Sequence, residues 1–228
     1  MKKSLVALAA LAVAGAALAH GGSGTVTPVA SSISTTTASG YVSGTGVSIQ
    51  GVANQGTATV NGGAVGTGVG IGPLKDAGAA VNGTATTTNT TIGAGVTMGS
   101  GTGSYEGAGL SKASISGAAE GHTVTSGPTA IANGNVETQT GTKVVGSGTS
   151  IAGVSAGVTG SFDAAGHASQ IKVGNFNTID TTSHAVGGVV GTVNFNGSFG
   201  NATTTVDNQG AFNAFGQSKA GIQSSTSN

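Results

Sequence analysis

Thr192-Val193-Asn194-Phe195-Asn196-Gly197-Ser198-Phe199 is the stretch from which the rest of the chain can be read. Val193 and Phe195 alternate with polar neighbours, the period of a strand with one face turned inward. Asn196-Gly197 follows, the strongest two-residue hairpin signal, and Ser198-Phe199 resumes the alternation. The same signals recur outward from it. Thr25-Val26-Thr27, Thr57-Ala58-Thr59-Val60, Ser114-Ile115-Ser116, Thr123-Val124-Thr125 and Gln170-Ile171-Lys172-Val173 all alternate, and Asn-Gly stands again at 61–62, 82–83 and 133–134. Beyond the first twenty residues no segment sustains helical apolar spacing. The pattern predicts an all-β protein of many short strands with Gly/Asn turns. Either an elongated β-solenoid-like or a β-sandwich subunit would fit, assembling by strand pairing.

Composition narrows the function. The chain contains no Arg, Cys or Trp, only 6% of its 228 residues are charged, and 44 are Gly. Past residue 19 only Leu74 and Leu110 represent leucine. Helices and catalytic sites draw on the residue types that are scarce here. Five Lys face seven Asp and Glu once Lys2 and Lys3 are set aside, so phosphate neutralisation is weak and nucleic acid is not an expected partner. Disordered chains are typically charged and poor in β-branched residues, whereas this one is rich in Val and Thr. Glycine costs backbone entropy and buries no side chain, so pairing with further copies would supply missing hydrogen bonds and buried area.

Residues 1–19 carry Lys2 and Lys3, an apolar run from Leu5 to Leu18, and the ending Ala17-Leu18-Ala19. That is the layout of a cleaved secretory signal peptide. A secreted, extracellular or cell-surface location follows as the expectation. Integral membrane insertion does not, because two Tyr and six Phe are too few for the aromatic girdles of an outer-membrane barrel.

Residues 20–40 read as a flexible N-terminal segment and possible strand donor, its alternation near Val26 to Val29 suiting addition to another subunit's sheet. Residues 41–160 form a Gly/Thr-rich β region, 161–217 a Phe/Asn-rich β region with the better core, and 218–228 a tail. Ser-Gly-Thr recurs at 23–25, 43–45, 100–102 and 147–149. Glu106…Lys112 and Glu137…Lys143 share one spacing, so their charges could meet across neighbouring strands.

Chemical motifs are sparse. Asp163…His167 and Asp180…His184 would each share a strand face, without a third ligand or a serine nucleophile beside them. His20 would begin the cleaved chain, where an α-amine and imidazole can chelate copper if His122, His167 or His184 joins them. An incidental histidine after the cleavage site is the simpler reading, so no metal or other cofactor is expected. The glycine runs at 62–72 and 99–109 lack the Gly-Lys-Ser/Thr of a phosphate loop. Thr84 to Thr91 could present a row of hydroxyls and methyls to a surface, as ice-binding solenoids do.

Near the C-terminus, Asp207-Asn-Gln-Gly-Ala-Phe-Asn-Ala-Phe-Gly-Gln217 resembles the repeat units of curlins and related bacterial functional-amyloid matrix subunits, through Gln209, Gly210, Asn213 and Gln217. The resemblance implies amide ladders holding a fibre together. It covers one unit where curlins repeat several.

The reading that follows is a non-enzymatic, secreted structural subunit that self-assembles into an extracellular filament or biofilm-matrix fibre. Its partner would be itself, with an export or nucleating factor possible. Val193, Phe195, Phe199, Gln209, Asn213 and Gln217 are the expected assembly residues. A monomeric β-rich module binding a surface, a glycan or ice is the alternative.

Overall fold

The computed structural model describes residues 22–123 and 127–219. They form four strands: β1 (Gly22–Ile71), β2 (Leu74–His122), β3 (Thr129–Val173) and β4 (Phe176–Lys219). The strands lie in the order β1-β2-β3-β4, every neighbouring pair antiparallel. The protein is therefore all-β, in one open meander. Its strands are few and long, 44 to 50 residues each, where many short ones were expected.

The hairpin signals were misplaced for a packing reason. Chain reversals fall at Gly72-Pro73, between His122 and Thr129, and at Gly174-Asn175, and none of the four Asn-Gly pairs makes one. Gly72 and Gly174 take the left-handed backbone these tight turns need. Asn61-Gly62, Asn82-Gly83 and Asn133-Gly134 instead lie within strands. A Cβ on Gly62 would meet Ile115, and a Cβ on Gly83 or Gly134 would meet the Phe162 ring. These glycines make room for the two bulkiest aliphatic and aromatic side chains of the larger core cluster. Asn196-Gly197 sits near a bend, with Gly197 at positive φ.

Every strand bends near its middle, and the sheet folds over on itself. Register breaks fall between Val42 and Gly46, between Gly95 and Ser104, and between Ser147 and Ile151. Gly99, Gly148 and Gly200 have φ of 74°, 65° and 72°. Three of the four Ser-Gly-Thr copies, at 43–45, 100–102 and 147–149, coincide with these bends. The halves of each strand then face one another. Thr87, paired in the sheet with Val158, bonds the hydroxyl of Thr140, and a Cβ on Gly160 would meet Val136. One layer holds residues 22–42, 101–122, 129–147 and 201–219; the other holds 46–71, 74–98, 151–173 and 176–197. Each half-strand is about 60–85 Å long.

Small inward residues let the layers approach closely. A Cβ on Gly121 would meet the Gly78 and Thr67 carbonyls, and one on Gly166 those of Gln217 and Ile131. The interior has three zones. Val60, Val81, Ile115, Val136 and Phe162, with many alanines, form one apolar cluster, and Tyr105, Val144, Ala152 and Val154 form another. Between them lies a buried polar zone of Thr87, Asn89, Thr91, Ser111, Thr140 and Thr142.

Several segment expectations change. From Gly22 onward the presumed loose N-terminal segment is the first half of β1, hydrogen-bonded to β2 from Gly22↔Gly121 to Val42↔Gly101. The boundary at 160 falls inside β3. The better core does not lie in the Phe-rich part: Phe162 is buried, but Phe176, Phe199, Phe212 and Phe215 are exposed. Those four belong to β4, which among the described residues has a sheet neighbour on one side alone. Residues 1–21, with the export signal and His20, and residues 220–228 lie outside the described residues.

The bends yield a direct test. Gly148 has φ +65° and nothing within 4 Å of an added Cβ, so Gly148→Ala isolates the backbone cost. That cost is about 1–2 kcal/mol, read as a lower urea midpoint. An unchanged midpoint would show that the bend does not need this conformation.

Candidate assembly surface

The outer edge of β1 stands out first. Among the described residues β1 pairs with β2 alone, and none of its 50 residues is Asp, Glu, Lys, Arg or His. Proteins usually guard an open edge with charge, proline, bulges or a covering element. Here Pro28 and the bend are the only such interruptions in the strand. β4 forms the opposite edge, and Asp180, Asp207 and Lys219 are its only Asp, Glu, Lys or Arg residues. Both edges run through both layers.

The outer face of the first layer carries amides and charges. Gln209 pairs in register with Gln139, and Asn213 with Asn135, so two like-amide pairs cross from β4 to β3. Gln217 lies opposite Ile131 on the same exposed face of β4. Gln209 also donates from its Nε2 to the Asp207 carboxylate. Glu106 meets Lys143 at 2.7 Å across β2 and β3, so charges from the two repeated spacings do join, diagonally. Both are about half exposed, which limits the pair to roughly 0–1 kcal/mol. A shallow groove crosses this face from Val29 and Ser31 of β1, past Lys112, Glu137 and Gln139, to Gln209 of β4.

The outer face of the second layer carries threonine. Thr84, Thr86, Thr88 and Thr90 point outward from β2, while Thr87 and Thr91 point into the interior. Thr57 bonds Thr88 at 2.6 Å, Thr86 approaches Thr159 at 3.3 Å, and Thr90 bonds Ser155 at 3.0 Å. The row in the sequence is thus one line of a field spanning three strands. Towards the bend the field gives way to exposed Ile49, Val96, Met98, Ile151 and Phe199, the last 68% exposed. Val193 pairs with the inward-facing Ala156 and is half-exposed at the edge between layers. Phe195 pairs with Val154 through its backbone; its side chain lies outside the described residues.

The candidate catalytic pairs do not close on themselves. His167 joins Asp76 of β2 at 2.9 Å rather than Asp163, with both partners about half exposed. Among the described residues no three His, Asp or Glu side chains gather as a metal site. No described helix is long and apolar enough to cross a membrane.

The interior polar zone binds the layers together. Thr87 and Thr140 hydroxyls lie 2.8 Å apart, Thr91 and Thr142 2.7 Å apart, and Asn89 donates to Ser111 Oγ and the Thr140 carbonyl. Thr140→Val would strand the buried Thr87 hydroxyl and cost about 1–3 kcal/mol. Thr88→Val on the outer face should stay within about 0.5 kcal/mol. Equal urea midpoints for the two variants would contradict a bonded interior.

Sequence reasoning missed the open β1 edge, although its signal was visible: residues 22–71 contain no charged side chain. The bend glycines were hidden among many others. No protein-family model matches the chain, and no curated protein matches it.

Proposed function

We propose that this protein is an exported structural subunit that polymerises by strand pairing into an extracellular filament or matrix fibre. The observation that carries the reading is the long, uncharged edge of β1, which no other described strand covers. Such an edge presents a row of backbone donors and acceptors, the template on which another chain adds. Low net charge removes the repulsion that keeps monomers apart. Gln209 and Asn213 lie in register with Gln139 and Asn135, and amide rows of this kind can reinforce paired strands.

Electron microscopy of the purified chain, beside material sheared from producing cells, tests this. Uniform filaments in both are expected. A monodisperse particle in both would sink it.

The threonine field favours a second reading, a monomeric module that binds an ordered surface such as ice or a crystalline glycan. Its rows are spaced by the sheet itself, about 4.8 Å between strands, over three strands. That reading requires a monomer whose binding falls when Thr86 and Thr88 become Lys.

A further inference from the structure

Resting on the assembly reading, we infer that the occupant of the β1 edge is β4 of a second copy, paired antiparallel in one register that extends both layers together.

The meander sets the sense of addition. β1 and β4 run in opposite directions, so a copy displaced along the sheet without rotation places its β1 antiparallel to the first copy's β4. The two edge strands are of similar length, 50 and 44 residues, and both bend near the middle. One displacement therefore satisfies both layers.

Residue rows fix the register. Ser32, Ser111, Thr140 and Asn208 lie straight across the four strands, a polar row facing the interior. Continuing it puts Ser32 of the next copy beside Asn208. The Asn208 carboxamide reaches the Thr192 carbonyl through Nδ2, but its Oδ1 is buried with no partner among the described residues. Native proteins seldom leave such an acceptor empty. Ser32 makes only a 3.4 Å approach to Ser111 Oγ within its own copy, so its hydroxyl can turn to donate to Asn208 Oδ1. On the outer face the same step aligns Ser31 with Gln209 and carries the shallow groove across the junction. In the other layer, the row Thr57, Thr88, Gly157, Thr192 brings the next Thr57 beside Thr192.

The contact joins two different edges of one chain, so it does not close. Repetition by displacement generates a filament rather than a dimer.

The chain contains no cysteine, which allows the register to be read by cross-linking. The full chain is made with Ser31→Cys and Gln209→Cys together, and separately with Thr57→Cys and Thr192→Cys. Each pair spans three strand spacings within one copy, too far to bridge internally. Under mild oxidation both variants are expected to give covalent ladders of many copies, with the single-cysteine variants staying uncoupled. Wild-type filaments with no ladder from either pair would overturn the inference while leaving the assembly reading intact. Covalent dimers from Ser31→Cys or Thr57→Cys alone would overturn it in favour of paired β1 edges. Absence of wild-type filaments by microscopy would remove the assembly reading and this inference with it.

Discussion

Thr27→Lys combined with Thr59→Lys is expected to abolish filaments while leaving the fold of the subunit intact. Both residues are exposed on β1, one in each layer, so the folded chain accommodates the lysines in solvent. On assembly they lie at the junction, where charge on an edge opposes further pairing. Strand addition must succeed in both layers at once, so one obstacle in each should reduce polymer below detection. Sedimentation and electron microscopy read the loss, and far-ultraviolet circular dichroism reads the fold. A matched control places Lys at Ser114 and Thr88, outward-facing positions on the central strand β2. Those changes leave both edges unaltered, and filaments should persist. Equal filament yields from the two double variants would show that the β1 edge is not the joining surface.

Phe162→Ala should be the most damaging single truncation. Phe162 is 3% exposed and fills space that Gly83 and Gly134 leave open, against a core otherwise made of valine, alanine and one isoleucine. Removing a buried aromatic ring costs about 3–5 kcal/mol. Domains of this size hold about 5–15 kcal/mol in total, so the variant would retain little margin. The melting temperature should fall by about 10 °C. Phe176→Ala, at a position 63% exposed, should move it little. Similar melting temperatures for the two variants would contradict the face-to-face packing of the layers.

The fold class was legible because side-chain alternation is a local property. Thr25-Val26-Thr27 and Gln170-Ile171-Lys172-Val173 lie on strands, as their pattern requires. Strand length was not legible, because Asn-Gly has two physical uses. A glycine may allow a tight turn or leave space for a neighbour's side chain, and the neighbour of Gly83 is Phe162, far along the chain. The doubling of the sheet was hidden for a related reason. Gly99, Gly148 and Gly200 differ from other glycines only in backbone angle, and the Ser-Gly-Thr repeat that marks some bends also occurs at 23–25 in a straight segment.

The residues expected to take part in assembly divide along the same line. Gln209 and Asn213 enter through the resemblance to curlin repeat units, and the structure places each opposite a like amide on β3. Val193 was chosen for its alternation, but it sits at the edge between layers rather than on the outer face. Asn208 drew no notice. The role inferred for it rests on a row of four residues, one on each strand, that adjacent sequence does not reveal.

The axial repeat of the filament tests the central claim most directly. Cryo-electron microscopy or fibre diffraction should show strands about 4.8 Å apart and one four-stranded subunit every 19 Å or so along the axis. A repeat of a single strand spacing, with each copy contributing one layer to a stack, would contradict a polymer of folded, edge-joined subunits.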